Sequence, residues 1–368
     1  MSSNQYGDSP ILDAGIGPIR SSHYLPVDRG TVLWGRLPCE ADAAVLTIDA
    51  GDEVTIDTLS HEGILEDQGR DPRAFFARHG VADEGVLRDA VAVAASDTDR
   101  ADGGPHIVSG PIAVRGARVG DLLKITVLGT QRRVPYGVIS NRHSRGVLPD
   151  DYPAGGQTVS VFCGVEESGE SHEGDGFGLL PLTEGAEASV RFPLAPFLGL
   201  MGVAVAGSKR PHSIPPGPHG GNIDIKLLTT GSALYLPVQV DGALAYVGDP
   251  HFAQGDGEVA LTAMEASLRA DLRFEVVAHE AAVKQFGELV GPLAETSEFL
   301  VPTGMDADLD VAVQNCVRAA IGLLQARYGM ASHLAYAYLS AATDFNISQV
   351  VDLVKGVHAR VRKADFGG

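Results

Sequence analysis

Within eleven residues, Gly248-Asp249-Pro250-His251-Phe252-Ala253-Gln254-Gly255-Asp256-Gly257-Glu258 brings together three carboxylates, an imidazole and a primary amide, interleaved with glycines. Such a density is hard to account for as a solvated face. If Asp249 and His251 leave the end of a strand, their two-residue spacing turns both side chains to one side, and Asp256 and Glu258 stand in the same relation. Oxygen and nitrogen donors converging in this way suit zinc or another divalent ion, and a carboxylate left over can act as a base. The plainer account is a polar turn between two strands. Upstream, Pro218-His219-Gly220-Gly221-Asn222-Ile223-Asp224 precedes the apolar run IKLL, so Asn222 and Asp224 would share one face at a strand entrance. The paired glycines there let the backbone approach a ligand or another strand closely; the competing account is that Asn222 and Asp224 only satisfy turn amides. His61, in Ser60-His61-Glu62-Gly63, and His106, in Pro105-His106-Ile107-Val108, each stand where a sheet runs into a loop, a common place for sites. The other histidines, His23, His79, His143, His172, His212, His279, His333 and His358, lack such a setting and are read as structural.

These groups need a scaffold, and the surrounding pattern is β. The run AVLTIDAGDEVTID over 44–57 predicts two strands about a Gly51-Asp52 turn, with Val54 and Ile56 on one face. VGDLLKITV, 119–127, repeats the phrase around Gly120-Asp121, too briefly to establish an internal repeat. Further strand-like segments cover 158–165, 188–192, 201–206 and 272–279. The polar stretch 66–100 permits one or two short helices. Residues 131–158, rich in Pro, Gly, Arg and His, read as a long loop of the kind that is usually functional or mobile. Val313, Val317, Ile321 and Leu324 recur at spacings of three and four and predict a helix over 308–328 with that face buried. A second helix is expected over 331–342 and a third from about Ile347, capped by Asn346 or Ser348. VKGVHARVRK, 354–363, is expected as a strand. The fold class that follows is mainly β with a smaller α+β part, short-stranded sandwich- or barrel-like sheets plus C-terminal helices. Residues 1–20 read as an N-terminal extension and 21–368 as one region, with a subdivision near 195–210 left open.

Composition removes several function classes. A formal charge of −19 without any Lys/Arg cluster to offset it excludes nucleic acid as a partner, and a diffuse negative surface serves solubility. Cys39, Cys163 and Cys316 are odd in number, far apart and without CxxC spacing, so neither a disulfide framework nor a cysteine-rich zinc site is indicated and a reducing, cytoplasmic setting is expected. Cys163 lies inside the apolar run SVFCGV and reads as a buried, inert thiol. The first twenty residues show no signal-peptide pattern, and no run approaches the roughly 18 apolar residues of a membrane span. There is no GxSxG elbow, P-loop or HExxH.

The segment from Ser213 to Glu265 resembles the acetamidase/formamidase family, through His219 to Asp224, then Gly231 to Val238 (GSALYLPV), then Gly248 to Val259 ending in Gly255-Asp256-Gly257-Glu258-Val259. Ser109-Gly110-Pro111-Ile112, Gly120-Asp121 and the C-terminal Asp344-Phe345 with Ile347-Ser348-Gln349-Val350 extend the likeness to most of the chain beyond about residue 40. Two features depart from it. Val119 replaces a frequent proline, and 132–153 reads as an elaboration that leaves the substrate open beyond formamide and acetamide. The resemblance implies hydrolysis of short amides to a carboxylate and ammonia by a metal-dependent, usually oligomeric, predominantly β enzyme. On that footing a divalent ion, zinc before calcium, is expected on His251 and Asp249 with His106 or His61. Glu258 is expected as the base, Asn222, Asp224 and Gln254 as substrate-binding groups, and Asp256 in either role. Two alternatives stay open: the same site acting on a larger or cyclic amide or a urea-like compound, and a non-catalytic β module whose acidic turns hold calcium.

Overall fold

Alternation along single strands accounts for the layering. In Leu122–Arg132, the side chains of Leu123, Ile125 and Val127 enter the main apolar core, while Leu122 points to the other side. In Ala233–Pro237, Leu234 and Leu236 take the first direction, Ala233 and Tyr235 the second. A sheet buried on both faces in this way must be covered twice. One cover is a second sheet, because the main core also takes Ile107, Ile112, Val114, Leu198, Met201 and Val247 from it. The other is a helical layer of His279–Phe286, Leu309–Tyr328 and Ser332–Ala342. The chain is thus mainly β with a few C-terminal helices. These statements come from a computed structural model that describes residues 11–96, 102–167, 176–183, 186 and 189–367; His172 and Ala188, named above, lie outside them, as do 1–10 and 97–100.

Among the described residues, a nine-stranded sheet runs from His23–Leu25 through Glu53–Asp57, Leu268–Val277, Leu122–Arg132, Ala233–Pro237 and Leu293–Glu295 to Phe299–Asp306, Lys355–Arg362 and Asp344–Gln349. In the eleven-stranded sheet, Ala245–Ala253 pairs with Phe197–Gly202, with Ile107–Arg115 and with Met264–Glu265. The two strands predicted over 44–57 both form, but in different sheets. Leu46–Asp49 runs parallel to Ile107–Arg115, whereas Glu53–Asp57 pairs with Leu268–Val277, so the Gly51-Asp52 turn carries the chain from one sheet to the other. The polar stretch yields two short helices, Pro72–Ala77 and Arg88–Ala94. Residues 195–210 contain Phe197–Gly202, which lies between Ala245–Ala253 and Gly220–Asn222.

Three expectations are corrected. Residues 131–158 are not one long loop, because Leu122–Arg132 extends into them and Tyr136–Arg142 pairs with Thr158–Glu166, leaving only 143–157 as the connection. No third helix begins at Ile347. Asp344–Gln349 is a strand on Lys355–Arg362, and Phe345 and Ile347 alternating with Asn346 and Ser348 is a period-two pattern. The predicted C-terminal helix does form, Leu309–Tyr328, capped by Asp308, whose carboxylate accepts from Asp310 N at 2.8 Å and Val311 N at 3.2 Å. Its innermost face, however, is Ala312, Cys316, Ala320, Leu323 and Leu324, with Val313, Val317 and Ile321 on the flanks. Gly304 explains the rotation. A Cβ there would stand 2.1 Å from Cys316 N and 2.2 Å from Ala312 O, so the helix backbone rests directly on the strand and only small side chains fit between.

Candidate active site

Five segments from elsewhere in the sequence deliver buried polar groups to one end of Ala245–Ala253. The strand itself supplies Asp249 and His251. Glu265 arrives opposite His251 on Met264–Glu265. His61 and Glu62 follow the strand Glu53–Asp57, and His106 precedes Ile107–Arg115. Asn222 and Asp224 come off Gly220–Asn222, Glu258 follows Ala245–Ala253, and Asp352 sits in the turn after Asp344–Gln349. All of these residues are buried. Asp224, Asp249 and Glu258 adopt left-handed backbone angles, φ 48°, 49° and 47°, which aspartate tolerates better than most residues. Gly199 forms the floor. A Cβ at that position would lie 2.4 Å from Asp224 Oδ1, 2.7 Å from His251 Cε1 and 3.0 Å from Asp249 Oδ2, so no other residue leaves room for the three side chains.

Asp249 is the hub. Its Oδ2 is 3.1 Å from His251 Nε2, while its Oδ1 faces His61 Nδ1 at 3.6 Å and His106 Nε2 at 3.8 Å. The far nitrogens of the latter two rings are already occupied, His61 Nε2 by Glu62 Oε1 at 3.4 Å and His106 Nδ1 by Ser213 Oγ at 2.9 Å. Glu62 is itself braced by Ser140 Oγ at 2.6 Å and by Gln68 Nε2. His251 Nε2 also reaches Glu265 Oε1 at 3.0 Å. His61 Nδ1, Asp249 Oδ1, both oxygens of Asp224, Glu265 Oε2 and Asp352 Oδ2 are buried without a hydrogen-bond partner.

The charges are strongly coupled. Burial pushes His106 down to about 4. Burial would also lower His61, but the adjacent carboxylates of Asp249 and Glu62 outweigh it and lift the ring to about 10. For Asp249 burial is likewise outweighed, by the imidazoles of His106 and His251, and its carboxyl is held well below the ordinary range. Burial, then the neighbouring carboxylates, raises Asp224 and Glu258 well above theirs, and burial raises Asp352 to about 7. Such a set has too much negative charge for its environment unless cations or protons enter it. Overlapping donor sets close enough to share a cation are His61, His106 and Asp249; Asp224, Asp249 and His251; His251, Glu258 and Glu265; and Asp224, Glu258 and Asp352. A cavity of about 470 Å³ opens onto the cluster, walled in part by His61, His106, Asn222, Asp249, Glu258 and Glu265. Another, of about 530 Å³ between Pro218 and the helix Leu309–Tyr328, adjoins none of these donor sets.

Of the residues expected from sequence, His61, His106, Asp249, His251, Asn222, Asp224 and Glu258 are brought together. Asp256 is not, since its Oδ2 is engaged by Lys226 Nζ at 3.2 Å and Asn346 Nδ2 at 3.0 Å. Gln254 is held away from the cavity, its Nε2 donating to the carbonyls of Asp224 at 2.9 Å and Ser348 at 3.2 Å, so it braces the loop that carries Asp224. Glu265 and Asp352 were missed. An acidic residue in the apolar run around Met264 was the available signal for the first; Asp352 was hidden by the helix expected from Ile347. His212, read as structural, lines the cavity.

The Acetamidase/Formamidase family model matches residues 92–209 and 204–361, which include every one of these groups except His61 and Glu62. The chain belongs to the Acetamidase/Formamidase family. As a member it is an amidohydrolase acting on linear amides. It is 29% identical over 306 residues to a formamidase of Methylophilus methylotrophus, covering 67% of this chain and 74% of that one. An acetamidase of Mycolicibacterium smegmatis is 30% identical over 234 residues, 51% of this chain and 57% of that one. The crystal structure of an acetamidase from Bacillus halodurans superposes with a TM-score of 0.71 at 23% identity, covering 94% of this chain and 100% of that one, a likeness of fold. In this acetamidase/formamidase member, among the described residues, no helix is long and apolar enough to cross a membrane.

Proposed function

We propose that this chain hydrolyses an amide C–N bond to a carboxylate and ammonia with the help of a divalent cation. The observation that carries the reading is the overlapping buried donor sets, the ligand atoms of each lying within 4.8 Å of one another, among which His61 Nδ1, Asp249 Oδ1 and both oxygens of Asp224 have no hydrogen-bond partner. Buried charge persists where it is paired or coordinates a metal. Histidines whose second nitrogen is already held by a carboxylate or hydroxyl, as at His61 and His106, are the usual ligands. The set His61, His106 and Asp249 has the mixed nitrogen and oxygen chemistry of zinc, whereas Asp224, Glu258 and Asp352 have the all-oxygen chemistry of calcium. A divalent cation bound there supplies Lewis acidity, polarising the amide carbonyl and bringing the pKa of a water toward about 7.

The chain's own groups do the rest. Glu258 reaches the cavity from a buried position beside Asp352, which favours its holding a proton. Ionised once a bound cation offsets the neighbouring carboxylates, it accepts a proton as water adds to the carbonyl carbon and returns it to nitrogen as the C–N bond breaks, since expulsion of ammonia needs an acid. Asn222, on the cavity wall, orients the amide. Glu62 and Ser213 fix the His61 and His106 rings.

Glu258→Gln is expected to lower kcat on acetamide by about 10²–10⁴-fold with metal content intact. Retained turnover would remove it as the base, and loss of metal would recast it as a ligand. Complete chelation, followed by elemental analysis, is expected to abolish turnover and readdition of zinc to restore it. Full activity in demonstrably metal-free protein would overturn the cation's role.

A further inference from the structure

The cavity that opens onto the polar cluster is also lined by apolar residues, Leu65, Pro105, Ile214, Leu261, Val351 and Leu353. Two of these leucines are held in unusual conformations. Leu261 has φ 116° and Leu353 φ 69°, and Leu353 leaves 63% of its surface open to solvent at the rim. A leucine at positive φ is an outlier that persists only where its surroundings impose it, and such strain gathers at ligand sites. Of the ten non-glycine residues with positive φ among the described residues, five are Asp224, Asp249, Glu258, Leu261 and Leu353. Leu261 and Leu353 therefore carry the same kind of backbone strain as Asp249 and Glu258, which line the same cavity.

Size points the same way. A volume of about 470 Å³ falls within the range of roughly 300–1,000 Å³ found for pockets that enclose drug-sized ligands. Formamide or acetamide would fill a small part of it and leave water lying against leucines, forgoing the gain from burying apolar surface. Charge argues against an anionic extension. Arg142 is taken up by Asp67, Nε to Oδ2 2.6 Å, and the nearby cluster is rich in carboxylates, so Arg145 is the cation left to favour one.

We propose that the preferred substrate is a primary amide with a bulky, uncharged, apolar acyl group, such as a branched-chain or arylalkyl carboxamide, packed against Leu261 and Leu353. The proposal rests on the hydrolase reading above. Water adds to the carbonyl carbon, the C–N bond breaks, and the products are the bulky carboxylate and ammonia.

The test compares kcat/KM of the metal-replete protein for formamide, acetamide, isovaleramide, 3-phenylpropionamide and the anionic monoamide of succinic acid. The expected result is a preference of about tenfold or more for 3-phenylpropionamide over acetamide, in the range that apolar contacts supply. Leu353→Gly removes the side chain while suiting the left-handed backbone, so the thermal midpoint is expected to hold while that preference falls about tenfold. Ile214→Trp, which narrows the cavity, is expected to lower it as well. Preference for formamide or acetamide would overturn the inference and leave the hydrolase reading standing, as would an unchanged ratio in both folded variants. Preference for the anionic amide, lost in Arg145→Gln, would replace apolar by charge recognition. No turnover of any amide by the metal-replete protein would sink the hydrolase reading itself.

Discussion

Gly199 makes the cluster possible by having no side chain. With Asp224, His251 and Asp249 all within 3.0 Å of where its Cβ would be, any substitution displaces at least one of them. Gly199→Ala is expected to destabilise the protein by about 1–3 kcal/mol, the usual effect of overpacking, and to lower kcat/KM by about 10²-fold through misplacement of the cluster. Urea unfolding and steady-state kinetics measure the two effects. Wild-type kinetics in the folded variant would mean that these three side chains do not act as one site. The histidines differ from one another for equally local reasons. Burial lowers both rings, but His61 has two carboxylates against it that outweigh burial and lift it to about 10, whereas for His106 the one carboxylate of Asp249 does not, and burial holds it down at about 4.

Among the elements, Ala245–Ala253 does most of the positioning, because it is paired on both sides and both ends of its site-bearing half are tied to other strands. The helix Leu309–Tyr328 is positioned by contact with the neighbouring strand, at Gly304. Gly304→Ala would force the helix off the strand Phe299–Asp306, at a cost of about 1–3 kcal/mol. Since the helix covers the sheet face opposite the main core, a lower urea midpoint with little change in kcat/KM of the folded protein is expected. A midpoint equal to that of wild type would show that the helix yields freely. Large apolar residues at helical spacing correctly announced this helix. They misjudged its inward face, because small residues are favoured wherever two backbones touch, and only the packing partner reveals where that is.

Across the molecule, two buried histidines contribute stability that is lost in acid. His219 and His358 are buried outside the donor sets, and burial depresses each to about 4. A histidine with folded pKa about 4 and unfolded pKa about 6.5 stays neutral in the fold while the unfolded chain takes up a proton. Stability is therefore full above about pH 6.5 and is lost as pH falls toward 4, by roughly 3 kcal/mol per group if the whole shift is realised. His219→Gln is expected to flatten the decline between pH 6.5 and 4 in urea-unfolding free energies. An identical slope in both proteins would show that His219 takes up its proton without opening the fold.

The sequence by itself determined the β character, the C-terminal helices and most of the candidate donors, because period-two and helical spacings and a run such as Gly248 to Glu258 are local properties of the chain. It also carried the family likeness, through short motifs that need no structure to be read. Tertiary structure decided which polar residues meet. Asp256, two residues from Glu258, turns to Lys226 and Asn346, whereas Glu265 and Asp352 join from remote segments. It decided too that 44–57 crosses between sheets and that Asp344–Gln349 is a strand. Strand pairing and burial depend on partners far along the chain, so their consequences cannot be read from any one stretch of it.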